Sequence, residues 1–202
     1  HWNSTIQASA IQTRQRTRWA SINNPWLVKA IGSLVANLVG TGIKPQSLHA
    51  DEAIRGALHL RWSIWTDNAD AAGITDFYGV TALVARALVV DGECFIRLLA
   101  GGRSGFHLQV IPADQVDASI NRELGGGARI VAGIEFDTAG TRVAYHILPN
   151  APGEAFAISL TPVRVPAADI CHVFEPISAG QVRGISWAAS VQLRLHEIDQ
   201  IE

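Results

Sequence analysis

Residues 172–187 read His-Val-Phe-Glu-Pro-Ile-Ser-Ala-Gly-Gln-Val-Arg-Gly-Ile-Ser-Trp, and the fold turns on how this stretch is read. Behind it, Val163 to Phe174 is strand-like, with a change of direction at Pro166-Ala167-Ala168-Asp169. Ahead of it, Trp187, Val191, Leu195 and Ile198 recur at the spacing of one helix face. No Gly, Asn or Pro closes that helix before Glu202. The stretch is therefore a junction between a globular body and a helix, and the open-ended pattern reads as a longer helix cut short. The lack of any Met, with His at position 1, gives the same expectation of an internal piece of a longer protein.

Working back from the junction, the second half of the chain is strand-like. Cys94 to Leu99 and Phe106 to Val110 read as two strands around a turn at Gly101 to Gly105. Ile130 to Phe136 and Arg142 to Leu148 pair across the hairpin turn Asp137-Thr138-Ala139-Gly140, and Ile158 to Val165 and Ile170 to Phe174 follow. The first half is helical. Asn23-Asn24-Pro25 starts one helix, which ends at Gly40-Thr41-Gly42. A second begins near Asp51, with Ile54, Leu58, Trp62 and Trp65 as its stripe. A third is capped by Thr75 or Asp76 and buries Phe77, Val80, Val84 and Leu88. Residues 1–20 are polar and read as a basic arm, poorly ordered unless something holds it. Helices first and strands later argue an α+β fold with a mostly antiparallel sheet. The expected organisation is an arm over 1–20, an α+β body over 21–184 and the start of a helix over 185–202.

The chain is 48% hydrophobic and 17% charged, so it can bury a core. Cys94 and Cys171 both lie in apolar runs and read as buried free thiols. No apolar run reaches the roughly 18 residues of a membrane-spanning helix. Five of the sixteen Lys and Arg (Arg14, Arg16, Arg18, Lys29 and Lys44) fall in residues 1–50, which contain no acid. The remaining eleven face eighteen acidic side chains over residues 51–202.

No motif for catalysis stands out. His172 and Glu175 would fall on opposite faces of a strand, which makes them poor joint metal ligands. Asp67, Asp70 and Asp76 invite a two-metal nuclease reading, but a loop and a helix cap account for them. A DNA-binding module using the basic arm is the other alternative. Catalytic, metal and cofactor sites are not expected.

Six stretches, in order, carry a resemblance. They are Arg16 to Pro45, Trp62 to Phe77, Arg86 to Phe95, Leu108 to Val116, Gly133 to His146, and Val165 to Gly184. Together they resemble the lambda-like portal proteins of tailed bacteriophages. The family's usual Arg-Pro before the Gly-Gln of the junction is replaced here by Ser178 and Ala179.

The resemblance implies a structural subunit without hydrolase activity. Its setting would be the virion's portal vertex, assembled in the bacterial host cytoplasm, in a homo-oligomeric ring of about twelve copies. It implies capsid, scaffold and head-completion proteins and terminase as partners, and double-stranded DNA passing through the channel. Residues 21–184 would then form the wing and residues 185–202 the start of the stem helix. Gly180, Gln181, Arg183 and Gly184 would make the wing-to-stem hinge, and Arg14, Arg16 and Arg18 a contact with capsid or a neighbouring subunit.

Overall fold

The computed structural model describes residues 2–101, 105–153 and 161–199. The middle of the turn expected at Gly101 to Gly105, the opening of the strand expected from Ile158, and any helix past Glu202 lie outside the described residues.

The N-terminal segment is not an arm. It forms helix α1 (Trp2–Asn23), and no Gly or Pro interrupts it. Its buried face is Ile6, Arg14, Thr17 and Ser21. Only one of these is apolar, so the 3.6-residue period is present but hidden from a hydrophobic count. Asn24 then breaks the helix and caps α2 (Pro25–Val39), its side chain accepting from the Leu27 N–H at 2.9 Å. Pro25 occupies the first turn, where its missing N–H costs nothing. α3 (Glu52–Thr66) is capped by Asp51, and α4 (Phe77–Val90) by Asp76, which accepts from Gly79 N–H at 2.7 Å.

α4 leads through Asp91-Gly92 into the first strand. β1 (Glu93–Ala100) is the centre of a three-stranded sheet, flanked by β2 (Phe106–Pro112) and β8 (Ile170–Phe174). A second sheet holds β3 (Arg122–Gly125), β4 (Ala128–Val131), β5 (Ile134–Phe136), β6 (Arg142–Ile147) and β7 (Val163–Pro166) in that order. All pairings between these strands are antiparallel. The single strand expected over Ile130 to Phe136 is thus two strands. Ala132 and Gly133 both have positive φ and turn the chain between them, the backbone a tight hairpin demands.

Phe95, Ile111, Ile134, Tyr145, Val165 and Ile170 fill the core that the two sheets share. A second cluster, Leu27, Ile31, Val89, Val90 and Ala188, ties α2 and α4 to the segment after the junction. A third, Trp65, Ala69, Val80 and Leu108, anchors the C-terminal end of α3. Of the cysteines, Cys94 is buried and burial pushes its thiol up to about 12. Cys171 is exposed, because alternation along β8 turns it away from the core. No described helix is long and apolar enough to cross a membrane.

The helix expected straight after Gly184 starts later. Residues 187–191 form turns, and α5 runs Gln192–Asp199. Ser186 causes the delay. Its hydroxyl donates to the Val89 carbonyl at 2.9 Å and accepts from Ala188 N–H at 3.2 Å, pinning the chain to the end of α4. Such side-chain bonds compete with helical ones.

The junction itself is set by two glycines whose backbones touch. A Cβ on Gly184 would sit 2.1 Å from the Gly92 carbonyl oxygen, and one on Gly92 would sit 2.1 Å from the Ile185 carbonyl carbon. Gly184 is required for space, then, rather than for an unusual φ. Gly56, on the exposed part of α3, meets nothing within 4 Å. Gly184→Ala is therefore expected to destabilise the fold by about 3 kcal/mol, while Gly56→Ala stabilises it by about 0.5–1 kcal/mol. Urea midpoints of the two variants, read side by side, check both signs.

Candidate functional site

β1 opens with a carboxylate in the worst place for one. Glu93 is 0% exposed, and an unpaired charge there would cost several kcal/mol. Four donors answer it. Arg14 of α1 reaches Oε1 at 3.1 Å and Arg183 reaches it at 2.8 Å. His172 of β8 and the Gly184 backbone N–H reach Oε2 at 3.0 and 2.8 Å. The Gly92–Gly184 contact is what brings that last N–H within range.

Arg183 is fully employed. Beyond Glu93 it donates to the carbonyls of Ala113, Val116 and Ala132 at 2.8–3.1 Å, and its guanidinium lies 5.4 Å from the Phe95 ring centre. His172 is stacked between Phe95 and Phe174, at 4.2 and 4.5 Å. An outer layer completes the balance. Arg14 also lies 3.4 Å from Asp114, and Arg18 pairs with Asp91 at 2.6 Å and with Asp114. Glu93, Asp91 and Asp114 thus meet Arg14, Arg18 and Arg183, and the cluster is neutral when His172 is neutral.

Burial would push the Glu93 carboxyl up, but Arg183, His172 and Arg14 hold it down at about 2. Burial pushes the His172 imidazole below its ordinary range, against the pull of Glu93. A neutral His172 must then carry its proton on Nε2 to donate to Glu93, which leaves Nδ1 buried without a partner.

The strap from Ile177 to Gln192 is bound on every side. Gln181 accepts from Ile177 N–H and donates to the Arg183 carbonyl, closing a loop around the junction. Asn3 accepts from Val182 N–H at 3.0 Å and donates to the Gly180 carbonyl at 2.9 Å. Gln192 donates to the Thr13 carbonyl at 3.0 Å. Helix α1, β1 and the strap therefore share one bonded centre.

Of the residues singled out in the sequence, Gln181, Arg183 and Gly184 meet here, and Gly180 borders them with an open positive φ. Arg14 joins them, which corrects its reading as an outward contact. It is 4% exposed and committed to Glu93. Arg18 is half-exposed on Asp91 and Asp114, and Arg16 is exposed. Glu93, the hub, was missed by sequence reasoning. The available signal was an acid directly before the apolar run Cys94-Phe95-Ile96, in a chain whose first fifty residues hold arginines without acids.

The other acids have local duties. Asp70 accepts from Ala72, Ile74 and Thr75 N–H groups, and Asp76 caps α4. Glu135 is gripped by Arg164 through two bonds of 2.9 Å and by His146 at 3.1 Å. Among the described residues no group of three or more His, Cys, Asp or Glu could hold a metal ion.

Two outcomes follow for Glu93. Glu93→Gln leaves buried cations unpaired and is expected to cost about 3–5 kcal/mol at neutral pH. The acid limb gives the second. A carboxyl held at about 2 in the fold and at its ordinary 4.5 when unfolded stabilises the fold above pH 4.5. That contribution is lost as pH falls from 4.5 towards 2. His172 adds a milder loss below its ordinary value, because the unfolded imidazole takes a proton that the fold resists. Denaturant titrations from pH 7 to pH 3 should show the wild type losing more stability than Glu93→Gln.

The family model for phage portal proteins of the lambda family matches residues 1–202. A probable portal protein of Halomonas phage phiHAP-1 is 30% identical over 200 residues, covering 93% of this chain. The chain spans 39% of that relative's length. This chain belongs to the lambda family of phage portal proteins.

Proposed function

We propose that the chain is the outer, wing-like body of a portal subunit, a structural ring-former at the capsid vertex. In that role it takes part in head assembly, in docking terminase and in passing double-stranded DNA during packaging and ejection. Capsid, scaffold and head-completion proteins are its other partners, and the motor's hydrolysis belongs to terminase. The match of the portal family along residues 1–202 carries this reading.

Two features of the surface support ring assembly. Helix α2 has two apolar stripes. Leu27, Ile31 and Val35 face the chain's own core, while Trp26, Leu34 and Leu38 remain 56, 41 and 52% exposed. On α3, every residue from Glu52 to Arg61 except Arg55 is exposed, including Ile54, Leu58 and Leu60. Apolar stripes on two different faces of one chain favour head-to-tail contact between copies, the geometry that closes rings. The outward contact assigned to the basic segment falls to Arg16, with Arg18 sharing it.

Gly180, Gln181, Arg183 and Gly184 act as the joint between wing and stem. The bonds of Arg183 and Gly184 to Glu93 argue for a stiff joint, in which the wing and the outgoing helix move together. The excess of acids over residues 51–202 suits a body that repels the DNA it lets past. Tight phosphate binding would oppose sliding.

The test uses the full-length protein. Electron microscopy should show rings for the wild type. Trp26→Glu with Leu34→Glu should abolish them while leaving the thermal midpoint of the 202-residue chain unchanged. Arg16→Glu should weaken ring or capsid incorporation without loss of stability, whereas Arg14→Glu should destabilise the chain itself. Rings that survive all the exposed-face changes, or a wild type that forms none, would sink the reading.

A further inference from the structure

An open cleft of about 880 Å³ lies beside the junction, bounded by Asn3, Arg129, Phe136, Arg142, Gln181 and Val182. The start of α1, the second sheet and the strap meet there. Among the described residues neither Arg129 nor Arg142 makes a salt bridge, although Glu123 lies across from Arg129 in the β3–β4 register. Arg129 is exposed, so water can solvate it. Arg142 is less well served. It is only partly exposed, and its guanidinium lies 5.8 Å from the Phe136 ring centre and 5.5 Å from that of Phe174. One amino group makes a long 3.4 Å bond to the Gln181 carbonyl, and Nε is buried with no hydrogen-bond partner.

The contrast with Arg183 is instructive. Both guanidinium groups sit against aromatic rings near the same strap. Arg183 bonds a carboxylate and three carbonyls, and Arg142 bonds one carbonyl. A guanidinium has five donors in a plane, and the partner that matches them best is a planar carboxylate taken edge-on. Among the described residues such a partner is supplied to Arg183 and none to Arg142.

We infer that this cleft binds a carboxylate presented by an acidic peptide segment, with Arg142 as its anchor and Arg129 as a second, weaker cation. A protein segment fits better than a nucleic acid for two reasons. Val131, Phe136 and Val182 make part of the lining apolar, which suits an acid flanked by apolar residues. Two cations also neutralise too few phosphates to hold a duplex against the surplus of acids over residues 51–202. The occupant would contact α1 and the strap at once, so its binding bears on the joint.

The experiment follows the side-chain Nε–H resonance of Arg142 in the 202-residue chain. The probe is the capped peptide acetyl-Leu-Glu-Glu-Leu-amide, with its Gln-for-Glu counterpart, inorganic phosphate and a short DNA duplex as comparisons. The acidic peptide should shift the resonance saturably, and the Gln peptide should not. Arg129→Gln, at an exposed position, should weaken peptide binding about threefold, and Arg142→Gln, followed by calorimetry, at least about tenfold. If the resonance also moves with protein concentration alone and the peptide reverses that, a second copy supplies the segment. If only added peptide moves it, another protein does. No saturable shift, equal binding of the Gln peptide, or tighter binding of phosphate or duplex would overturn the inference.

Discussion

The structure depends on a charge that cannot be left alone. Glu93 sits without solvent at the point where α4 passes into β1. Each of its partners comes from a different part of the chain: Arg14 from α1, His172 from β8, and Arg183 with Gly184 from the strap. Burying an ion pair contributes little net stability against an apolar alternative, but removing one member is costly. That asymmetry turns the cluster into a condition. Helix α1, the three-stranded sheet and the strap must all be in place together, or a charge is stranded. An apolar core of the same volume would tolerate sliding between these elements, and the fixed angles of two guanidinium groups on one carboxylate tolerate much less.

The same condition explains which parts of the fold were legible in the sequence. Elements stabilised by local rules were readable from local signals. Asn24-Pro25, Asp51 and Asp76 start helices because their side chains or ring satisfy the first turn, and Asp137 to Gly140 turns a hairpin because Asp137 accepts from Ala139 and Thr141 N–H groups. Elements stabilised at long range were not. Helix α1 buries Arg14 and Thr17, which a hydrophobic period cannot register, and the acid that makes the burial of Arg14 tolerable lies 79 residues away. The turn at Ala132-Gly133 was hidden because Ile130 to Phe136 alternates well enough to pass for one strand. The delayed start of α5 was hidden because Trp187, Val191 and Leu195 keep helical spacing while Ser186 holds the chain to α4.

For the candidate site, the residue types at the junction were visible and their partners were not. Gln181, Arg183 and Gly184 could be marked as a joint, but nothing near them in the sequence names the acid that Arg183 meets. That acid is Glu93 of the same chain. On the proposed reading this changes the mechanical character of the joint. An arginine bonded across a subunit boundary would let the joint respond to the neighbour. Arg183 bonded to Glu93 and to the carbonyls of Ala113, Val116 and Ala132 ties it to the body of its own chain.

On the proposed reading as a ring subunit, contacts between copies must be sought elsewhere, on surfaces the chain does not use for itself. The interior balances its charges, with three carboxylates against three guanidinium groups around Glu93, and leaves little there for a partner to recognise. The exposed stripes of α2 and α3 are apolar, and Arg142 is a cation without an acid among the described residues. A rigid, internally neutral centre with unsatisfied faces around it is the physical form expected of a subunit completed by its neighbours. The Glu93 cluster draws every partner from within the chain, so on the proposed reading assembly docks finished surfaces rather than folding at the interface.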